Sequence, residues 1–386
     1  MKELKKALLP ALDTMQQKLL ARAAVGNLRS LEIKRGLIDF YSNDYLGLSK
    51  DKTLASLVLE QTKEGENVNG STGSRLLSGN SEQAVELETF LAEFFQGESA
   101  LVFNSGYVAN LSVLSSVPQK GDTIILDEYI HASLKEGARL SFANRYSFKH
   151  NDTEDLKRKL SKATGNIFVV VESVYSMDGD SADLKVIQGI CDEHDAHLVV
   201  DEAHSTGIMG EYGEGLSIAS KLENRVFTRI HTFGKAVGAH GACIVGSKVL
   251  IDYLINFARP FIYSTSLAPH SLTVILNALK RIKSETILRE NLFKNISFFK
   301  KELVKNSLEE RFIESSSPIH VCKINGNANA KRISQHLVSK GFEVRPILSP
   351  TVKAGEERLR ICLHNYNTEK EISDLLQELK TAYSTI

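Results

Sequence analysis

The sequence has no surplus of charge: Lys+Arg and Asp+Glu are both 47 in 386 residues. A protein that grips nucleic acid regardless of sequence needs a basic surface to displace counterions, so no nucleic-acid partner is expected. Cysteine is scarce. Cys191, Cys243, Cys322 and Cys362 stand far apart, with no C-x-x-C and no Cys/His pair at metal spacing. No metal site is expected, and the four thiols read as reduced and buried, in a reducing compartment. Long apolar runs are missing as well. Nothing approaches the ~20 residues of a membrane span. The basic segment Met1 to Gln17 has its apolar run broken by Pro10, too short and interrupted for a secretory signal. A cytoplasmic protein with no membrane partner is the expectation. Apolar residues at 42% and charged residues at 24% are the balance of a globular chain with a large core, and the length allows two or three domains.

What is present has a clear order. Residues 1–25 read as an amphipathic helix. Residues 31–48 read as a short strand pair ending in the turn-rich Ser42-Asn43-Asp44-Tyr45-Leu46-Gly47, with a helix over 51–64. The stretch from Gly70 to Asn80 is too rich in Gly and Ser for an ordinary helix or strand. Asn80 or Ser81 caps the next helix, with Val85, Phe90, Leu91, Phe94 and Phe95 as its apolar side. Short apolar runs then recur at 100–103, 123–126, 167–171, 197–200, 226–230 and 242–245. Polar or helix-period segments separate them; in 184–194, Leu184, Ile187, Ile190 and Cys191 share one face. Ile167-Phe168-Val169-Val170-Val171 is apolar on both faces, as a parallel strand covered by helices must be. This alternation predicts an α/β fold with a mainly parallel central sheet covered by helices. The last third predicts a smaller α+β unit: strands over 319–324 and 359–363, and helices over 329–340 and 368–383, the latter with Thr368 and Glu371 as a capping box. The helical stretch 267–305 links the two. The division expected is an N-terminal helix with short strands (1–48), a large domain (49–285) and a small C-terminal domain (286–386). There are no internal repeats and no low-complexity segment.

Chemistry in open parallel sheets gathers outside the carboxyl ends of strands. There the sequence places Leu198-Val199-Val200-Asp201-Glu202-Ala203-His204, an apolar strand ending on an acid with a histidine three residues later. By itself Asp201 reads equally as a loop cap or metal ligand. The next strand end carries Thr232-Phe233-Gly234-Lys235-Ala236-Val237-Gly238, a glycine-flanked loop with one lysine. By itself Lys235 reads as a solvated surface charge; desolvated, its amine is freed for imine formation. Together the two meet the needs of pyridoxal phosphate (PLP): a carboxylate that keeps the ring nitrogen protonated, and a lysine that binds the aldehyde. Asn104-Ser105-Gly106-Tyr107, after a strand and before a helix, offers backbone amides to a phosphate. Thr232 adds a hydroxyl. His131, in Tyr129-Ile130-His131-Ala132-Ser133, is placed to stack on the ring; alone it reads as a core or loop histidine.

These segments resemble the α-oxoamine synthases, PLP enzymes of fold type I, over about residues 20–365. The likeness rests on Ser42-Asn43-Asp44-Tyr45-Leu46-Gly47-Leu48, Gly73-Ser74-Arg75, His131-Ala132-Ser133 and Ser173-Val174-Tyr175-Ser176-Met177-Asp178-Gly179-Asp180. It continues through Asp201-Glu202-Ala203-His204, Thr232-x-x-Lys235 and Tyr263-Ser264-Thr265. Within the family, the segments Ser74 to Asn80 and Phe103 to Tyr107 look most like the members that join L-alanine to pimeloyl-CoA or pimeloyl-ACP, releasing CO2 and the thiol. Sister members that use glycine or serine with another acyl-CoA are the nearest alternative.

The resemblance implies a homodimer and assigns roles. Lys235 binds the cofactor and removes the α-proton, and Asp201 pairs with the ring nitrogen. His204 and Ser176 approach the phenolic oxygen, and His131 stacks on the ring. Gly106, Tyr107 and Thr232 hold the phosphate, with Thr265 serving the neighbouring subunit's phosphate site. Arg22, Asn43, His131, Thr351 and Arg360 bind substrate, Arg360 through the amino-acid carboxylate. Two departures stand out. Phe233-Gly234 occupies the lysine loop where many relatives have a residue followed by Ser, and Thr72 stands where Gly is common. A dinucleotide-binding oxidoreductase is disfavoured, because Gly70-x-x-Gly73 and Gly234-x-x-x-Gly238 do not make G-x-G-x-x-G. A non-catalytic subunit is disfavoured by the presence of Lys235, Asp201 and His131 together.

Overall fold

A computed structural model describes residues 2–29, 31, 33, 36–64 and 69–384. Its strands are β1 Ile38–Asp39, β2 Ser99–Phe103, β3 Thr123–Asp127, β4 Asn144–Phe148, β5 Ile167–Glu172, β6 Ala196–Asp201, β7 Thr228–Thr232, β8 Ala242–Gly246, β9 Ile319–Lys323, β10 Phe342–Glu343, β11 Arg345–Ile347 and β12 Arg358–Cys362. Seven of them form one sheet in the order β2-β8-β7-β6-β5-β3-β4. The pairs β4–β3, β3–β5, β5–β6 and β6–β7 are parallel, and only β8 runs against its neighbours. This is the α/β architecture of PLP fold type I, and every apolar run of the alternating region overlaps a strand, although 226–227 precede β7.

Side-chain alternation explains how the sheet is covered. On β2, Leu101 and Phe103 enter one apolar cluster while Ala100 and Val102 enter another; on β8, Ala242 and Ile244 oppose Cys243 and Val245 in the same way. The second cluster continues into the C-terminal region through Ile319, Val321, Leu359, Ile361 and Leu375. There β11, β12 and β9 form an antiparallel sheet, backed by helices Asn327–Ser339 and Glu369–Tyr383. Thr368 and Glu371 close the capping box of the last helix.

Several expectations need correction. Residues 31–48 do not form a strand pair with each other. Residues 32, 34 and 35 lie outside the described residues, and β1 pairs in parallel with β10, about three hundred residues away in sequence. The helix Lys2–Ala24 exists, and among its described side chains Leu12, Met15, Leu19 and Leu20 are all exposed. Ser81 caps helix Glu82–Phe94 by accepting from Ala84 N. Val85 faces solvent there, and Leu87 takes the buried place. The stretch 267–305 is two helices, Pro269–Ser284 and Ile287–Asn306. Strand β4, Asn-Arg-Tyr-Ser-Phe, gave no apolar run because it is an edge strand with only Phe148 buried. All four cysteines are free and buried. Among the described residues, no helix is long and apolar enough to cross a membrane.

Candidate active site

Adjacent parallel strands β5 and β6 end in register on two acids, Glu172 and Asp201, both buried. The Asp201 carboxylate is fixed at both oxygens. Oδ1 accepts from Ala203 N at 2.9 Å, and Oδ2 accepts from Asn110 Nδ2 at 2.8 Å. Asn110 sits on helix Gly106–Ser116 and also donates to Ser133 Oγ at 2.9 Å. Ser133 lies on helix Ala132–Leu140, capped by His131. Ser133 N donates to His131 Nδ1 at 3.2 Å, and its hydroxyl lies 2.7 Å from the same nitrogen. That assigns Nδ1 as an acceptor and puts the neutral ring's proton on Nε2. Desolvation, then the Lys235 and Lys135 charges, hold His131 below its ordinary range against the pull of Asp201.

Lys235 arrives from β7. Because β8 returns antiparallel beside β7, the loop between them is a hairpin connection. Phe233 N donates to Gly241 O at 2.9 Å, Ala239 N to Phe233 O at 2.8 Å, and Gly238 N to Lys235 O at 2.8 Å. Gly238 turns the chain at φ 66°, and a Cβ there would lie 2.4 Å from Ser49 N, so no larger residue fits. The Lys235 amine lies 2.8 Å from His204 Nε2. Burial pushes its pKa down to about 8, against the pull of Asp201 and Glu172. Burial, then the Asp201 charge, push the Glu172 carboxyl up, and Lys235 opposes them.

The chain continues beyond His204. Its Nδ1 lies 2.8 Å from the Tyr45 hydroxyl, which donates to Asn43 Oδ1 at 3.1 Å. Burial, then the Lys235 and Arg360 charges, hold His204 well below its ordinary range, and burial keeps the Tyr45 phenol protonated. With His204 neutral and Nε2 accepting from the lysine, the ring proton lies on Nδ1. Arg360, on β12 and buried, donates from Nη2 to Asn43 Oδ1 at 2.9 Å and from Nε to Ser176 O at 2.7 Å. Glu172 accepts from His131 N and from Ser176 N.

Lys235, His204, Asn43, Arg360 and the Ser176 backbone therefore form one connected network, and His131 joins Asp201 through Ser133 and Asn110. The helix start after β2 and the end of β7 come together as well. A Cβ on Gly106 would press on Thr232 Cβ and Oγ1 at 3.3 Å, so glycine keeps that space open at a helix start. Asn104 Nδ2 donates to Thr265 O at 2.7 Å, while Tyr107 and Thr265 are exposed. Arg22 and Thr351 line a different place, an open groove between the first helix and the 346–351 segment. Arg75, from the glycine-rich stretch, is committed to Glu88 at 2.8 and 2.9 Å. Tyr45, Glu172, Asn110 and Ser133 were not singled out from sequence. Glu172 had a usable signal, an acid directly after an apolar strand, like Asp201. Ser133 stood in the His131-Ala132-Ser133 motif without a role of its own, and Asn110 had no signal.

The residues present fit PLP. A buried acid and a low-pKa amine that feels its charge come from neighbouring strand ends, and a helix start at Gly106, with Thr232, opens nearby.

The sequence matches the family Aminotransferase class I and II over residues 35–379. It is 39% identical to an 8-amino-7-oxononanoate synthase of Emericella nidulans, with 89% of each chain covered. Among solved structures, a serine palmitoyltransferase of S. paucimobilis with a bound PLP–myriocin adduct superposes with a TM-score of 0.87 at 29% identity, covering 97% of each chain. An 8-amino-7-oxononanoate synthase of Francisella tularensis superposes with a TM-score of 0.78 at 30% identity, covering 92% of this chain and all of that one. The motif residues, the sheet that presents them and these likenesses agree: the chain belongs to the aminotransferase class I and II family, in its α-oxoamine synthase branch.

Proposed function

We propose that the chain is a PLP-dependent acyltransferase of biotin biosynthesis. It joins L-alanine to a pimeloyl thioester, carried on CoA or ACP, to give 8-amino-7-oxononanoate, CO2 and the free thiol. The observation that carries this reading is the pairing of a buried, low-pKa Lys235 with the fixed carboxylate of Asp201, in a chain whose curated relatives at 36–39% identity carry that name.

When bound, PLP supplies an electron sink for the charge left at the amino acid's α-carbon. Asp201 holds a proton at the ring nitrogen, and its two hydrogen bonds keep the carboxylate aimed. Lys235, its pKa lowered to about 8, takes the α-proton in its neutral form. His204 and Ser176 stand at the phenolic oxygen. His131 would cover the ring, with its Nε2–H left to donate to a reacting carbonyl. Gly106, Tyr107 and Thr232 hold the phosphate. Arg360, with Asn43 beside it, receives the amino-acid carboxylate by charge-assisted hydrogen bonds. Arg22 and Thr351 bind the acyl substrate in their groove. The working unit is a cytoplasmic homodimer in which Thr265 completes the partner's phosphate site, and each chain divides at about residues 48 and 285.

One observation favours a second reading, a sister synthase using serine or glycine: the serine palmitoyltransferase superposes with the higher TM-score, 0.87 against 0.78. The visible spectrum of the PLP-loaded protein, titrated separately with L-alanine, glycine and L-serine, separates the two. A saturable change with L-alanine, and thiol release on adding pimeloyl-CoA, is expected. A response to serine or glycine alone moves the assignment to the sister reaction, and absence of any cofactor band ends both.

A further inference from the structure

His150 follows β4 at the same end of the sheet as the site, and no step described so far uses it. Its ring lies between two carboxylates. Nδ1 is 3.0 Å from Asp127 Oδ1 and 3.2 Å from Oδ2, and Nε2 is 2.8 Å from Asp180 Oδ2. A neutral imidazole has one N–H and serves one carboxylate; only the imidazolium donates to both. The ring is also held by face and edge: Tyr129 stacks on it at 4.5 Å, and Tyr175 meets it edge-on at 4.4 Å.

Other cations nearby are engaged elsewhere. Arg358 pairs with Asp178, and Lys353 lies 3.6 Å from Glu128. Asp127 and Asp180 have no other cationic partner among the described residues. Their remaining donors are neutral: Tyr129 N and Asn151 N to Asp127, and Asn151 Nδ2 to Asp180. The two hydrogen-bonded carboxylates hold the ring's pKa up to about 10, against the cost of burial.

Each carboxylate shapes a different turn. Asp127 begins the segment Asp127-Glu128-Tyr129-Ile130 that delivers His131. Asp180 closes the segment that carries Ser176, its carbonyl accepting from Tyr175 N at 2.9 Å. We propose that His150 is a positioning residue: a charged imidazolium that anchors, by one N–H each, the turn bearing His131 and the turn bearing Ser176. The role toward catalysis rests on the reading of those two residues as neighbours of the cofactor.

The test has two arms. Nitrogen-15 histidine spectra of the full chain, with His150→Gln used to assign the signal, report the ring's protonation. Both nitrogens stay protonated from about pH 6 to about pH 9, and Asp180→Asn lowers the midpoint by about one pH unit or more. A neutral ring at neutral pH overturns the proposal; if His150→Gln fails to fold, the histidine signal that Asp180→Asn moves supplies the assignment. The second arm is steady-state kinetics of PLP-loaded His150→Gln. The expected result is a kcat about tenfold lower or less, KM for the amino acid within about twofold, and an acid limb moved to higher pH as Asp127 and Asp180 lose their counter-charge. Unchanged kcat, or a lower kcat with an unmoved acid limb, overturns positioning. The spectra need no turnover, so they stand apart from the reaction assigned above, which Lys235→Ala tests.

Discussion

The amine of Lys235 lies 2.8 Å from His204 Nε2, and the opposite nitrogen of that ring lies 2.8 Å from the Tyr45 hydroxyl. Donation runs one way along this row: lysine to histidine, histidine to tyrosine, tyrosine to Asn43. His204 is held neutral and the Tyr45 phenol protonated, and the row ends where Arg360 also donates.

Lys235→Ala removes the first donor and the only amine in the network. Turnover falls at least about a thousandfold, while the protein remains folded, because the lost side chain carries no packing role that a hairpin backbone cannot keep. Turnover assays with circular dichroism check both halves. Substantial residual activity sinks the assignment.

Asp201→Ala keeps PLP capture but slows exchange of the alanine α-proton with solvent deuterium, by about a hundredfold. Proton NMR of L-alanine in D2O follows it. Exchange at the native rate contradicts the role given to Asp201.

Tyr45→Phe keeps the buried ring and deletes one hydroxyl. His204 Nδ1–H loses its acceptor, and a lost buried hydrogen bond of ~1.5 kcal/mol corresponds to about a tenfold lower kcat. Steady-state kinetics against L-alanine decide this; a native kcat removes Tyr45 from the row.

The pH dependence of PLP capture by the cofactor-free protein reports Lys235. Its pKa is lowered from 10.5 to about 8, so the reactive neutral amine grows as pH rises and is largely formed just above 8. Stopped-flow capture rates should rise and then level there. A rate still climbing steeply near pH 10 means an ordinary lysine.

His150 gives a stability signature of opposite character. Its pKa rises from 6.5 to about 10 on folding, so the folded chain holds the extra proton between those values. The stabilisation is full below 6.5 and is lost as pH rises through about 10. The gap in Tm between the native chain and His150→Gln should therefore shrink across that window. A gap constant with pH excludes a charged ring.

Much of this was legible because strand ends advertise themselves. Asp201 and Lys235 each follow an apolar run, so their nearness needed only a parallel sheet and adjacent strands. Glu172 obeys the same rule and was hidden by the motif that follows it. Asn110 and Ser133 look like ordinary polar residues on helices, and only tertiary packing brings them between His131 and Asp201. Edge strand β4 escaped because one buried side, and only its last residue, gives no apolar run. The β1–β10 pairing escaped because two residues carry no period. His150 was invisible for a further reason: its meaning depends on two carboxylates from other segments, neither within twenty residues of it.

The hairpin that carries Lys235 has a kinetic consequence. In the proposed reaction the lysine would release its partner and recover it once in every cycle. A side chain on a long, loose connection would have to search for the way back. Here the strands on both sides are zipped to each other and the loop is closed by three backbone hydrogen bonds. Return would therefore start from a side chain still held close by, at high local concentration.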